Sequence, residues 1–264
     1  MKNLYFLGGG NMCAALLSRL KNNADFSLFV VEKNAERQAF LRQAFDITVA
    51  NALPSISSDD ILLLAVKPQD MQAALNGVET NGALVLSIAA GLSCQTLSNW
   101  LDHTHRIVRI MPNTPAQIGM GFAGLFADSG VLESDKIIAQ TILNAVGKTV
   151  WVENEDDLHT ITAISGSGPA YVFYLMNALF QAAVSNGMSD TTARQSVLQT
   201  FIGAASLAEQ SGEDFGILQQ KVTSKGGTTA AALAVFENEK TDKIMQNAVT
   251  ACKNRSIEMG KTMA

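Results

Sequence analysis

Three consecutive glycines, Gly8-Gly9-Gly10, stand between a short apolar run, Leu4 to Leu7, and a stretch carrying Met12, Leu16, Leu17 and Leu20 at helical spacing. A chain that must end a strand, turn tightly and continue as a helix has few options. The spacing Gly8-x-Gly10-x-x-Cys13 is an incomplete G-x-G-x-x-G/A pattern. In that pattern the first glycine permits the turn, and the second lets an anion approach the backbone at a helix N-terminus. The third position is small so that helix and strand pack closely, and Cys13 is small enough. Leu7 to Met12 (Leu7, Gly8, Gly9, Gly10, Asn11, Met12) would then offer backbone amides to a pyrophosphate. Glu32 lies 22 residues past Gly10, at the end of a second apolar run, Leu28 to Val31. An acid there binds the ribose 2′-hydroxyl of NAD. Lys33 and Arg37 beside it would instead bind the 2′-phosphate of NADP. These residues alone leave NAD against NADP open, and a solvated charge cluster at a strand end is the plainer reading of each one.

The rest of the chain continues the alternation. Helices are expected over Ala35 to Phe45, from Pro68, over Ser93 to Leu101 and over Glu133 to Ala145. Strands are expected at Ile47 to Val49, Ile61 to Val66, Leu84 to Ile88, Arg106 to Met111, Gly121 to Phe126 and Lys148 to Val152. The run Ile61 to Val66 is apolar without alternation, as in a parallel strand buried on both faces. Strands alternating with helices make a parallel sheet covered on both sides. After the acids Glu153 to Asp157, which suit a helix N-terminus, only helices are expected. They run over Pro169 to Asn186, to about Gln210, over Phe215 to Val222, over Thr229 to Phe236 and over Thr241 to Met259. The fold class is therefore α/β: an N-terminal Rossmann-like doubly wound sheet in residues 1–152, then an all-helical domain in residues 153–264.

Composition narrows the function. Nineteen basic against 24 acidic residues give a net charge of −5, with no basic stripe for nucleic acid or an anionic membrane. No apolar run reaches the ~20 residues of a membrane span. The glycines interrupt what could otherwise pass for a signal sequence, so a folded first strand and turn are expected. Three widely spaced cysteines suggest neither a disulfide framework nor a zinc site, and a reducing cytoplasm is the simplest setting. His103 and His105 lack a third ligand, and no metal is expected. Ser165-Gly166-Ser167-Gly168 lacks the spacing of a nucleophile elbow.

Five segments go beyond a generic nucleotide fold. They are Phe6 to Met12, Leu64-Ala-Val-Lys-Pro-Gln69, Arg109-Ile-Met-Pro-Asn-Thr-Pro115, Ile164-Ser-Gly-Ser-Gly-Pro-Ala-Tyr171 and Val222-Thr-Ser-Lys-Gly-Gly-Thr-Thr229. In this order the chain resembles pyrroline-5-carboxylate reductase, over nearly its whole length. Cys13 stands where that family usually has Ala or Gly, and Lys225 where it usually has Pro. The resemblance implies reduction of (S)-1-pyrroline-5-carboxylate to L-proline in proline and amino-acid biosynthesis. NADP(H) is the expected cofactor and NAD(H) the alternative. It also implies a helical dimerisation domain, a homodimer that in many members builds a decamer, and a substrate site between one subunit's cofactor and helices of the dimer partner.

Under that resemblance Asn51, Ala65, Val66, Lys67, Pro68, Asn113 and Thr114 join the cofactor residues. Ala89, Ala90 and Gly91 let a nicotinamide come close. Ser224, Gly226, Gly227, Thr228 and Thr229 form the substrate site, where free amides at a helix start hold a carboxylate. Thr229 is the candidate catalytic residue, its hydroxyl reaching the imine nitrogen. For each of these, ordinary turn or cap chemistry is the competing reading. The alternative functions are a β-hydroxyacid dehydrogenase-like enzyme, with Lys221 or Lys225 as its lysine, and a non-enzymatic NADP-binding regulator.

Overall fold

The computed structural model describes residues 1–262. Its sheet has eight strands: β1 (Lys2–Leu7), β2 (Phe26–Val31), β3 (Thr48–Ala50), β4 (Ile61–Leu64), β5 (Leu84–Ser87), β6 (Ile107–Met111), β7 (Gly121–Ala127) and β8 (Gly147–Trp151). Their order is β3-β2-β1-β4-β5-β6-β7-β8. The helices between them are α1 (Asn11–Leu20), α2 (Ala35–Phe45), α3 (Pro68–Leu75), α4 (Cys94–Trp100) and α5 (Glu133–Asn144). The order reverses at β1, whose neighbours are β2 and β4, which makes a doubly wound sheet with its switch point beside the glycine turn.

Alternation along the central strands builds two cores. Leu4, Phe6, Ile61, Leu63, Leu84 and Leu86 face one layer, where they meet Leu16, Leu17 and Leu20 of α1. Tyr5, Leu7, Leu62, Leu64 and Val85 face the other, against Met71 and Leu75 of α3 and Leu97 of α4. Ile61 to Leu64 are fully buried on both faces, as their unbroken apolar run requires. Burying one such leucine contributes about 1.5–3 kcal/mol.

The sheet departs from the expected parallel arrangement at one edge. β7 runs antiparallel to β6, with Met111 opposite Gly124. The link between them is a single 3-10 turn, Thr114–Ile118, too short for a parallel crossover. β7 and β8 are parallel to each other and joined through α5.

Beyond β8 the chain is helical, as expected. A short α6 (Asp157–Ile161) runs into a π turn, Thr162–Gly166, and then into α7 (Gly168–Ser185). There follow α8 (Asp190–Ser211), α9 (Phe215–Lys221), α10 (Thr228–Asn238) and α11 (Thr241–Thr262). Ser189 caps α8 by accepting from the Thr192 N–H, and Gly212, at φ 63°, ends it. Contacts divide the chain into two compact units. One is Met1–Ser167 together with the chain from Ala251 onward; the other is Gly168–Thr250. The first unit keeps α6 because Gly124 of β7 leaves room for Ile161 and Leu158, and Leu158 is buried there.

The second unit is built differently. In it only Ala193 and Val197, both of α8, are buried. Phe173, Tyr174, Leu179, Ile202, Phe215, Val235 and Phe236 are exposed, several by more than half. Among the described residues no helix is long and apolar enough to cross a membrane.

Candidate active site

The parallel strands end in register. Val31 pairs with Ala50 and Leu7, Leu7 with Leu64, Leu64 with Ser87, and Ser87 with Arg109. Their carboxyl ends therefore form one row, and every candidate cofactor residue lies on it or just past it. Leu7 to Met12 follow β1, Glu32 and Lys33 follow β2, and Asn51 follows β3. Ala65 to Pro68 follow β4, Ala89 to Gly91 follow β5, and Asn113 and Thr114 follow β6.

The glycine turn has the geometry an anion needs. Gly8 has φ 104°, and a Cβ there would lie 2.9 Å from the carbonyl of Ala65, so no larger residue fits. Gly10 is the N-cap of α1, which has no side-chain cap and no acid in its first turn. The first amides of α1 thus lack partners within the helix, and a Cβ on Gly10 would meet nothing within 4 Å. Cys13 is fully buried beneath, and burial pushes its thiol far up from its ordinary range.

Glu32 is held in place. Its two carboxylate oxygens accept from the Gly9 N–H at 2.9 Å and the Asn34 N–H at 2.8 Å. Arg37 donates to the carbonyls of Gly9 and Gly10 and lies over the Phe40 ring, 4.7 Å from its centre. Both charged side chains therefore pin the turn. Gln38 donates to Asn51 Oδ1, which ties α2 to the loop after β3. Lys33 is exposed, and it lines a cavity of about 390 Å³ with Leu7, Val31, Asn51 and Pro54.

Around β6 the structure gathers groups that single motifs do not reveal. Asn113 accepts from the Phe122 N–H at 2.9 Å and donates to the Ser165 carbonyl at 3.2 Å. Its side chain thus joins two of the five motifs. Buried Arg109 pairs with Glu155 at 2.8 Å, and the same Glu155 oxygen accepts from the Cys94 N–H at 2.7 Å. Glu155 is therefore an ion-pair partner rather than only a helix-start acid. His159 is buried, with Nδ1 2.8 Å from Ser256 Oγ. Burial first, and Arg109 second, hold its imidazole below the ordinary value. Nothing in the spacing of Arg109, Glu155, His159 and Ser256 advertises this cluster; a buried cation and the acids after β8 were its only signal.

The second group of candidates sits in the other unit. Ser224 to Gly227 form a turn closed by the Gly227 N–H donating to the Ser224 carbonyl at 3.0 Å, with Gly226 at φ 71°. Gly227 is the N-cap of α10, which has no side-chain cap. The serine and threonine hydroxyls here are therefore not spent on capping, and the first amides of α10 lack partners within the helix. A side chain on Gly227 would collide with Ser224. Lys225, within this turn, is exposed. Thr228 is exposed and Thr229 half-buried. Lys221 is bound to Glu213 at 2.6 Å. Among the described residues no group of histidines, cysteines and acids could hold a metal ion.

Comparison with known proteins matches these two regions separately. A family model described as pyrroline-5-carboxylate reductase dimerisation matches residues 155–259, and one described as NADP oxidoreductase coenzyme F420-dependent matches residues 3–91. The pyrroline-5-carboxylate reductase of Haemophilus influenzae is 41% identical, over 98% of this chain and 97% of its own. A solved pyrroline-5-carboxylate reductase from Coxiella burnetii superposes with a TM-score of 0.88 at 34% identity, covering 98% of each chain. The Plasmodium falciparum pyrroline carboxylate reductase with NADP bound gives 0.82 at 29% identity, also over 98% of each chain.

Proposed function

The chain belongs to the pyrroline-5-carboxylate reductase family, and from that premise we infer that it reduces the C=N bond of (S)-1-pyrroline-5-carboxylate to L-proline, the last step of proline biosynthesis. The observation that carries this reading is that each of the two units has an uncapped helix start behind glycines: Gly8 to Gly10 before α1, and Gly226-Gly227 before α10. One suits a pyrophosphate, the other a carboxylate.

The residues present fit a nicotinamide dinucleotide. The amides of Asn11 and Met12 would take the pyrophosphate, over the open face of Gly10. Asn51 and Lys33, beside the cavity of about 390 Å³, would take the adenosine ribose. We favour NADP(H), with NAD(H) as the alternative. Each Glu32 oxygen accepts a backbone amide and Arg37 donates to the turn carbonyls, so among the described residues exposed Lys33, beside the cavity, is the cation we assign to a 2′-phosphate. Ala65 to Pro68, Ala89 to Gly91, Asn113 and Thr114 complete the cofactor side.

When bound, the reduced nicotinamide supplies a hydride to the C=N carbon. The protein's part is to position the substrate. The α10 amides with Ser224 and Thr228 hold the substrate carboxylate. The Thr229 hydroxyl donates a hydrogen bond to the neutral imine nitrogen and orients it; the proton itself comes from solvent, after which the hydroxyl oxygen accepts from the iminium N–H, the form that takes hydride more readily. No general base is needed, in keeping with a turn whose groups, Lys225 apart, are hydroxyls and amides.

The other two readings are weaker. A hydroxyacid dehydrogenase needs a free lysine; Lys221 is tied to Glu213, and exposed Lys225 stands in a sequence context that matches the imine reductase better. A regulator without catalysis has no use for the intact Ser224 to Thr229 turn. The apolar faces of α7, α8 and α10, exposed on the isolated chain, support a homodimer through the helical unit, able to assemble further to a decamer. Light scattering should show a dimer or a larger species at micromolar concentration; a stable, active monomer would overturn that assembly. The free thiols of Cys13, Cys94 and Cys252 suit a cytoplasmic setting. The direct test of function is to mix the protein with pyrroline-5-carboxylate and NADPH and measure proline. Proline formation with cofactor oxidation is expected; NADPH oxidation only with the carbonyl partners of β-hydroxyacids (β-oxo-acids or semialdehydes) would refute it.

A further inference from the structure

The loop from β5 to α4 carries Ala89, Ala90 and Gly91, and two elements from far along the chain hold it. At its end, the Cys94 N–H donates to Glu155 at 2.7 Å, and Glu155 is itself fixed by buried Arg109. At its centre, α11 passes so close that a Cβ on Gly260 would lie 2.8 Å from the Gly91 carbonyl oxygen. A carbon cannot rest that near an oxygen without displacing it. Gly91 is buried and has φ 81°, a conformation that glycine adopts without strain, so what limits its movement is the packing around it. This part of α11 is anchored to the same unit by Ser256 Oγ on His159 Nδ1 at 2.8 Å and by Cys252 Sγ on Ser167 Oγ at 3.2 Å.

We propose that Glu155 and Gly260 are positioning residues that clamp Ala89 to Gly91 from two sides and so set where the nicotinamide end of the cofactor rests. This rests on the reading that the loop receives the nicotinamide. It adds an element that no strand-end motif contains, the last turns of the C-terminal helix. The adenosine end, held by the glycine turn and by Lys33 and Asn51, lies on other strands and should not feel the clamp.

The test is Gly260→Ala, with Ser256→Ala as a second variant that loosens the anchor without adding bulk. Alanine favours a helix over glycine, so the first variant should fold. Calorimetry then gives Kd for NADPH and for adenosine 2′,5′-bisphosphate, the same molecule without its nicotinamide half; NADH and AMP form a parallel pair. The clamp predicts that Gly260→Ala leaves bisphosphate binding within about twofold and weakens NADPH by about threefold or more, since a few tenths of an ångström of misplacement is costly at the reacting end. In turnover, kcat should fall by about three- to tenfold with a larger primary deuterium isotope effect, because hydride transfer becomes slower. Ser256→Ala should move both readouts the same way by less. If NADPH and the bisphosphate keep the wild-type ratio of affinities in folded Gly260→Ala, the clamp is wrong. If wild-type protein binds NADPH but makes no proline, the functional reading fails, and the affinity ratio still decides the clamp.

Discussion

Glu155→Ala is the most informative single substitution in the sheet unit. It removes the carboxylate that neutralises Arg109, whose side chain is only 7% exposed while that of Glu155 is 25% exposed. Breaking a buried pair by deleting one partner costs about 3–5 kcal/mol. Water can reach the Glu155 side, which argues for the lower end, about 3 kcal/mol. The Cys94 N–H also loses its acceptor, worth about 1 kcal/mol. For a unit of this size, 1 kcal/mol moves Tm by about 2–4 °C, so a fall of about 8–16 °C is expected. Glu155→Gln is the discriminating control. Both hydrogen bonds land on one oxygen, Oε1, and an amide oxygen can accept both. Only the charge is lost, so the cost should be about 1–2 kcal/mol and about 2–8 °C. Arg109→Met combined with Glu155→Ala should recover most of the loss, because no unpaired charge is left buried. Thermal unfolding followed by circular dichroism measures all three. If Glu155→Ala lies within 2 °C of wild type, or if the double variant is no better than the single one, the pair does not hold this part of the molecule.

Thr229→Val keeps the shape and removes the donor; kcat should fall by about ten- to hundredfold, from the loss of about 1–3 kcal/mol in the transition state, while NADPH binding and Tm hold. An unchanged kcat would remove Thr229 from the mechanism, and a lower Tm is not expected because α10 has no side-chain cap to lose. His159 makes stability depend on pH. Its folded pKa is depressed by burial below the ordinary 6.5, so the unfolded chain takes up the proton first. The folded state therefore keeps its full stability above about pH 6.5 and loses it as pH falls towards the folded pKa. His159→Asn should flatten Tm against pH in that window, and an unaltered slope would assign the dependence to other groups. For the cofactor, kcat/KM should favour NADPH, and Lys33→Ala should erode that preference; a tenfold preference for NADH in wild type would overturn it.

Much of the fold was legible because the signals are local. Gly8 to Gly10, the apolar run Ile61 to Leu64 and the stops at Gly187 and Gly212 each act within a few residues, and the elements form where those residues stand. The reversal of β7 was not legible. It depends on the connection after Pro115 folding as one 3-10 turn, and an apolar strand such as Gly121 to Ala127 has no direction written in it. The π turn at Thr162–Gly166 was hidden for a similar reason, since it continues a helical run with one bond pattern replaced by another. At the site, the glycine turns could be read from spacing. The Arg109–Glu155 pair spans 46 residues and the His159–Ser256 contact 97, and such pairs carry no periodicity. Glu32 adds a role that its position did not reveal: beyond the ribose contact its place suggests, each of its oxygens accepts a backbone amide and holds the turn.

The most direct measurement of the central claim follows the hydride itself. The protein would be given pyrroline-5-carboxylate and NADPH deuterated at the transferring position of the nicotinamide, and the proline examined by mass spectrometry and NMR. The account predicts L-proline carrying one deuterium, on the carbon that had been double-bonded to nitrogen. Proline without the label, or cofactor oxidised with no proline formed, would contradict it.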